Sequence, residues 1–334
     1  MFRYLQKTID PFLVALITVM TLATFLPVHG RGVPLFGGLT DAAIILLFFL
    51  QGAKLSREAI IDGASAWRLH LAVLLSTFGV FPLLGIGISH LPFLDPAMAG
   101  GLLFLTLLPS TVQSSIAFTS VARGNVAAAV CSASFSNLLG IALTPILASL
   151  LMQSQGIAMS WGGAQTIVLQ LLLPFAAGHL LRPRIGAWVA RNKALVMVVD
   201  RGSILLVVYT AFSAAVIEGI WHRLSPGELA VVALCCVALL ATILTLTWVA
   251  GRMMGLARAE AIVLQFCGSK KSLVSGVPLA GILFPAAQVG IAVLPLMLFH
   301  QFQLFACAIL ARHYAATDPE TDSMPTLSGK TQGA

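Results

Sequence analysis

Long apolar runs fill most of the 334-residue sequence and restrict the chain to an all-α integral membrane fold. A helix crosses the hydrocarbon core of a bilayer with about 20 mostly apolar residues. The chain is 58% hydrophobic and 9% charged, whereas a soluble domain has about 25% charged residues. Ten runs fit a membrane span: residues 11–28, 39–54, 69–90, 97–122, 125–152, 165–182, 200–219, 228–250, 258–284 and 286–311. We expect some of the longer runs to be tilted or broken.

The basic residues divide unequally between the two sides that ten spans define. The side that carries the N-terminus has fifteen of the nineteen basic residues in its loops and termini. The other side has only Arg31 and Arg223. Loops rich in Lys and Arg remain in the cytoplasm. The sequence therefore predicts cytoplasmic N- and C-termini, and leaves only Lys270 and Lys271 inside a span.

The composition argues against several other classes of protein. The net charge of +7 is spread over loops and forms no basic face with interleaved aromatics, so nucleic acid is not an expected partner. The five cysteines lie in apolar stretches without CxxC spacing, which favours buried free thiols over a disulfide framework or a zinc site. We therefore expect no metal and no cofactor.

Ten spans divide into two sets of five, and an odd number of spans inserts the second set upside down. This geometry is the inverted repeat of secondary transporters, whose sites lie near the bilayer midplane where interrupted helices meet. We expect a first repeat over residues 1–160, a second over 161–312, and a disordered cytoplasmic tail over 313–334.

Break signals occur in the fourth run and, at the corresponding position, in the ninth. The fourth run contains LPSTVQSS (108–115), in which Pro109 lacks an amide hydrogen, and the ninth contains CGSKKS (267–272), with Gly268 as its weak point. Pro and Gly can mark simple kinks in membrane helices. Their paired positions favour a binding site, and an unwound ninth span would expose a carbonyl end that suits a cation.

Lys270 and Lys271 lie at a depth where a charged side chain raises the free energy of membrane insertion. A lysine at the centre of a membrane helix costs about 2.5–3.5 kcal/mol, and these two are too deep for their amines to reach the headgroups comfortably. No acidic residue lies deep in a run, since Asp41 and Glu218 are near span ends. A small organic anion as substrate could supply the counter-charge, or one lysine could be neutral.

Polar residues concentrate around the two breaks and on the neighbouring spans, which predicts a polar chamber between the halves. An intramembrane Ser–Lys hydrolase is an alternative, and it would need a cross-helix pair such as Ser114 with Lys271. The candidate substrate or ion site consists of Gln113, Ser114, Ser115, Asn137, Gly268, Ser269, Lys270, Lys271, Ser272 and His300.

Several motifs resemble the bile acid:sodium symporter family, in particular its bacterial SBF-like branch. They are ARGNVAAAV (122–130), LLLPFAAGHLLRP (171–183), CGSKKSL (267–273) and VLPLMLFHQFQL (293–304), within a resemblance over about residues 8–314. The resemblance implies a bacterial inner-membrane protein with a panel domain (spans 1, 2, 6, 7) and a core domain (spans 3–5, 8–10). It also implies that spans four and nine unwind and cross at the ion and substrate site.

The sequence departs from this family at the sodium positions. The family's glutamate ahead of the span-nine crossing falls on Phe266, and its glutamine four residues later falls on Lys270. The span-four serine–asparagine pair falls on Ser114 and Ser115, and the span-three glutamine on Thr77. A fixed ammonium could organise the crossing as a bound ion does. The prediction is a secondary transporter of an organic anion working by alternating access, coupled to protons, to sodium or to neither. The alternative is a non-transporting sensor that retains the fold.

Overall fold

All regular secondary structure in the described part of the chain is helical, and this part contains no strand. The computed structural model describes residues 11–54, 66–152, 168–217, 219 and 225–317. The helices are α1 (Pro11–Phe25), α2 (Gly32–Lys54), α3 (Trp67–Ser89), α4 (Pro96–Leu107), α5 (Gln113–Val121), α6 (Val126–Leu151), α7 (Leu173–Arg191), α8 (Lys193–Ile217), α9 (Pro226–Met253), α10 (Arg258–Gly268), α11 (Leu273–Leu283) and α12 (Ala286–Ala316). Within these described ranges there are two π-helical turns, Ser76–Val80 inside α3 and Val168–Leu172 ahead of α7.

Six helices among the described residues are long and apolar enough to cross a membrane: Gly32–Lys54, Trp67–Ser89, Val126–Leu151, Lys193–Ile217, Pro226–Met253 and Gln288–Ala316. Many large apolar side chains on these helices are exposed, including Leu83 and Leu234, each 69% exposed. An exposed apolar surface of this kind suits lipid as the solvent.

Several helices differ in length from the predicted runs. Helix α2 begins at Gly32 rather than at residue 39, because Pro34 in its first turn is compatible with a helix. Helix α7 continues to Arg191 and α8 begins at Lys193, so Asp200 and Arg201 lie on a helix and not in or beside a loop. Apolar runs mark only the hydrocarbon core, and helices extend past it into the headgroup region, where charged side chains are tolerated.

The last helix extends into the segment predicted to be a disordered tail. The sequence predicts that the tail begins at residue 313, whereas α12 continues to Ala316. Residues 318–334 lie outside the described residues, as does the predicted boundary between the two repeats at residue 160.

The fourth and ninth runs are each divided into two helices. Helix α4 ends at Leu107 and α5 begins at Gln113, while α10 ends at Gly268 and α11 begins at Leu273. The two non-helical segments touch, since the Ser272 amide donates to Pro109 O at 2.9 Å. The ends of α4, α5, α10 and α11 therefore meet at this contact.

Helices α2 and α7 approach each other unusually closely. A Cβ built on Gly52 would lie 2.0 Å from Phe175 O, and one on Gly178 would lie 1.9 Å from Phe49 O. Small residues allow membrane helices to pack with their backbones in contact. Helices α1, α2, α7 and α8 pack together, and α12 packs against α4, α8, α9 and α11.

Candidate functional site

The Lys271 ammonium lies against three backbone carbonyls. Its Nζ donates to Thr77 O at 2.8 Å, Thr106 O at 2.7 Å and Leu108 O at 2.7 Å, and the side chain is fully buried. An ammonium has three hydrogens to donate, so all of them are used. Thr106 and Leu108 lie at the carboxyl end of α4, whose partial negative charge favours a cation.

The π-helical turn in α3 explains why Thr77 O is available. In an α-helix the Phe81 amide would donate to Thr77 O, but here it donates to Ser76 O. A π-type bond from Thr77 O would need the amide hydrogen of Pro82, which proline lacks. The backbone therefore leaves Thr77 O without an intrahelical donor, and Lys271 supplies one from another helix.

Gln303 on α12 holds the backbone of Lys271 in place. The Lys271 amide donates to Gln303 Oε1 at 2.9 Å, and Gln303 Nε2 donates to Lys271 O at 3.0 Å. Gln303 Nε2 also lies 2.9 Å from His300 Nδ1. This pair of amide bonds connects the buried lysine to His300, one helical turn away on α12.

The sequence predicts that the carbonyl end of α10 suits a cation. In the structure, three serine hydroxyls from other elements donate to its last carbonyls. Each hydroxyl satisfies one of the acceptors that a helix terminus leaves unpaired. The carbonyl end that binds an ammonium is that of α4. The serine bonds run from Ser115 Oγ to Phe266 O (3.1 Å), Ser110 Oγ to Cys267 O (2.6 Å) and Ser76 Oγ to Gly268 O (2.8 Å).

Lys270 has a different environment from its neighbour. Its Nζ lies 4.0 Å from the centroid of the Phe118 ring and 5.4 Å from that of Phe266, and it is fully buried. Within the described residues, Nζ has no hydrogen-bond partner. Ring faces attract a cation by about 0.5–2 kcal/mol. Lys271 Nζ also lies 4.1 Å from the centroid of the Phe81 ring, so the two adjacent lysines differ in their hydrogen bonds and not in having aromatic neighbours.

A cavity of about 420 Å³ opens beside the two interruptions. Five of the predicted site residues line it: Gln113, Ser114, Asn137, Ser272 and His300. The other five, Ser115, Gly268, Ser269, Lys270 and Lys271, are buried and do not line it. The predicted site therefore consists of five residues that line the cavity and five buried residues that do not reach it.

Individual predicted residues also have structural roles. Ser272 is the N-cap of α11 and accepts from the Ser275 amide at 3.2 Å, whereas Ser269 bonds back to Gln265 O on its own helix. Ser114 Oγ lies 2.8 Å from Thr111 Oγ1. Because Lys271 Nζ is bonded to three carbonyls, the Ser114–Lys271 pair that a hydrolase would need is not formed.

Two polar features were missed by the sequence-based site. One is the bonding of Gln303 to Lys271, which the polar position of Gln303 within the largely apolar motif VLPLMLFHQFQL (293–304) does not reveal. The other is an ion pair between Lys54 on α2 and Asp200 on α8, both of which line the cavity. Their positions near the ends of predicted spans concealed them.

Lys271 occupies carbonyl oxygens at the crossing that a sodium ion could otherwise use. The carbonyls of Thr77, Thr106 and Leu108 already accept from Lys271, and Phe266, at the family's glutamate position, offers no ligand atom in its side chain. Among the described residues, no group of three His, Cys, Asp or Glu side chains could hold a metal ion.

Comparisons with known proteins agree with the helical, apolar structure. Residues 10–316 match the model of the SBF-like CPA transporter family. An Escherichia coli (strain K12) protein named "Putative symporter YfeH" is 54% identical over 312 residues, which cover 93% of this chain and 94% of that protein. A Pseudomonas aeruginosa protein is 54% identical over 309 residues, or 92% and 93% of the two chains. Sodium/bile acid cotransporter 7 of Xenopus tropicalis is 25% identical over 308 residues, 90% of each chain. The chain therefore belongs to the SBF-like CPA transporter family, as a transmembrane relative of the sodium/bile acid cotransporters.

Proposed function

We propose that this chain is a secondary transporter that moves a small organic anion across the bacterial inner membrane by alternating access. Lys271 acts as a built-in cation at the position where sodium-coupled relatives would hold an ion. The observation that carries the proposal is the contact of Lys271 Nζ with three carbonyls from α3, α4 and the segment after α4. A bound metal ion would be coordinated by the same kind of oxygen.

The proposed architecture has ten spans in two inverted repeats, residues 1–160 and 161–312, with cytoplasmic termini. The interrupted helices α4–α5 and α10–α11 form the fourth span of each repeat, which is why they meet. In this arrangement α1, α2, α7 and α8 are the panel and the remaining helices are the core. Since α12 continues to Ala316, we place the start of the cytoplasmic tail after it.

The cavity supports a small, anionic substrate. Its volume of about 420 Å³ falls in the range of small-molecule sites. Lys54 and Arg201 line it together with one carboxylate, that of Asp200. Lys270 and Lys271 do not line it, so we propose the role of internal cation for Lys271 rather than direct contact with the substrate.

Uptake into proteoliposomes tests this function. A thermal-shift screen of anionic metabolites, run with and without sodium, first identifies a substrate for the purified protein. We expect that substrate to accumulate inside the vesicles in sodium-free buffer when a proton gradient or membrane potential is imposed. A protein that binds the substrate but never accumulates it would be a sensor instead, and the proposal would be wrong.

The Lys271→Ala variant tests the built-in cation directly. We expect at least a tenfold loss of uptake in sodium-free buffer, because three buried carbonyls lose their donor. Added sodium or methylammonium, which can contact the same carbonyls, should restore part of the rate. Arg184→Ala, which changes an exposed arginine outside the cavity lining, is the control for loss of a positive charge. Normal sodium-free uptake by Lys271→Ala would contradict the role assigned to Lys271.

A further inference from the structure

The ion pair between Lys54 and Asp200 lies in the wall of the cavity. Lys54 is the last residue of α2, and Asp200 is in the third turn of α8. Their side chains are 29% and 8% exposed, respectively. The same two residues also line a second cavity of about 440 Å³, which shares Gln113 and Met197 with the first. The pair therefore stands where the two cavities meet.

This ion pair is not needed to hold distant elements together. Helices α2 and α8 pack against each other directly, and Thr40 Oγ1 on α2 lies 2.9 Å from Thr210 Oγ1 on α8. Asn137 on α6 and His300 on α12 also line the first cavity. The lining thus offers polar side chains from other helices in addition to Lys54.

Lys54 provides a hydrogen-bond donor to only one of the two carboxylate oxygens of Asp200. The lysine bonds to Oδ2, while Oδ1 is buried and has no hydrogen-bond partner among the described residues. A buried carboxylate oxygen without a donor raises the free energy of the site. Only one Asp200 oxygen bonds Lys54, and an anion in the cavity would compete with that oxygen for the ammonium, whose side chain is 29% exposed.

The charges around the pair favour an incoming anion. The lining of the two cavities includes four basic side chains, Lys54, Arg182, Lys193 and Arg201, and Asp200 as the acidic one. A cleft lined mainly by one sign of charge concentrates ions of the opposite sign. Lysine is also a compact donor that exchanges partners easily.

We propose that Lys54 binds the anionic group of the substrate and that Asp200 is the resident counter-ion it displaces. The inference rests on the proposed transport of an organic anion and adds the location of the binding site. The ligand class is a soluble monoanion or dianion small enough for the cavity. The buried lysines at the helix crossing would then shape the site without contacting the substrate.

Charged thiol reagents test the proposal without a known substrate. Met197→Cys places a thiol on α8, one turn from Asp200, at a position that is 40% exposed and lines both cavities. The purified protein is treated with 2-sulfonatoethyl methanethiosulfonate, an anion, or 2-(trimethylammonium)ethyl methanethiosulfonate, a cation. The measured quantity is the rate of thiol modification by the anionic reagent divided by the rate of modification by the cationic reagent. Ala97→Cys, which lines neither cavity, is the control reporter, and the native cysteines are buried.

We expect Lys54→Gln to lower the anion-to-cation rate ratio of the thiol at position 197 by about threefold or more, and Asp200→Asn to raise it by a similar factor. Lys54→Arg should keep the ratio. If Lys54→Gln does not fold, the Asp200→Asn result alone decides, because that variant retains the lysine. A ratio that neither Lys54→Gln nor Asp200→Asn changes would overturn the inference.

Lipid composition and uptake provide two further comparisons for the Lys54 site. In vesicles of phosphatidylcholine, adding phosphatidylglycerol should change the ratio at position 197 no more than at position 97. A selective loss at position 197 would show that a lipid headgroup occupies the site, which overturns the inference. Because the reaction needs no transport, failed uptake with the expected ratios would disprove the proposed function alone. Normal uptake with unchanged ratios would disprove the Lys54 site alone.

Discussion

The adjacent residues Lys270 and Lys271 are both fully buried against phenylalanine rings, but only Lys271 has hydrogen-bond partners for its ammonium group among the described residues. Lys271 makes three bonds to carbonyls, and hydrogen bonds to a charged group contribute about 1.5–3 kcal/mol each. Their sum exceeds the insertion cost of a lysine, about 2.5–3.5 kcal/mol. Lys270 Nζ has no hydrogen-bond partner among the described residues, and its contacts with the Phe118 and Phe266 rings offset less of that cost. We infer that Lys271 stabilises the fold and that Lys270 does not.

Replacing each lysine with methionine tests this difference. Methionine keeps a similar length and removes the charge. We expect Lys271→Met to destabilise the protein by about 2 kcal/mol or more, because three buried carbonyls lose their donor. Lys270→Met should leave the Tm in detergent unchanged or higher, since methionine packs well against aromatic rings. Equal Tm values for the two variants would show that the hydrogen bonds of Lys271 add no stability.

At the scale of helices, the glycines of α2 and α7 determine how closely these two elements pack. Gly52 and Gly178 each lie against a carbonyl of the other helix, so a methyl group at either position must push the backbones apart. By contrast, Gly38 on the same helix α2 has no atom within 4 Å of its Cβ position. Packing, rather than glycine content as such, is therefore the source of the effect.

Alanine substitutions at these glycines form a matched set. We expect Gly52→Ala and Gly178→Ala each to lower stability by about 1–3 kcal/mol, the typical cost of overpacking. Gly38→Ala should be neutral or slightly stabilising, because alanine is the better helix former. Thermal unfolding in detergent, followed by native-gel migration, measures all three. A loss of stability with Gly38→Ala equal to that of the other two would exclude close packing as the cause.

The breaks in the helices were predictable from sequence, whereas their partners were not. Pro109 and the Gly268–Lys271 segment predict interruptions from local chemistry alone, and helices end at Leu107 and Gly268. The carbonyl that accepts from Lys271 depends on the π-helical turn at Ser76–Val80 in a different helix. The spacing of apolar residues does not reveal such a turn. The one local signal is Pro82, five residues after Thr77, which has no amide hydrogen to donate to Thr77 O. The same limit hid the pairing of Lys54 with Asp200, because a contact between distant residues leaves no local pattern.

At the scale of the whole molecule, the family prediction is confirmed, and the number of membrane crossings remains a prediction. The match over residues 10–316 shows the family, while six of the described helices are long enough to span alone. The ten-span proposal requires that α4 and α5 together make one membrane crossing, and that α10 and α11 together make another. Helices α4 and α5 have 12 and 9 residues, or about 18 and 14 Å at 1.5 Å per residue. Neither crosses a core of about 30 Å alone, but end to end they do.

Accessibility of two engineered cysteines decides whether α4 and α5 together cross the membrane. Ala97→Cys lies at the start of α4, and Asn192→Cys lies between α7 and α8. With α4–α5, α6 and α7 as three crossings, the two positions must be on opposite sides. A membrane-impermeant maleimide should label the thiol at position 97 in spheroplasts, and should label the one at position 192 only after the membrane is permeabilised, since loops rich in Arg and Lys remain cytoplasmic. Labelling of both from the outside would mean an even number of crossings between them. The chain would then fold back at the interruption, and the inverted repeat that brings the two broken helices together would be wrong.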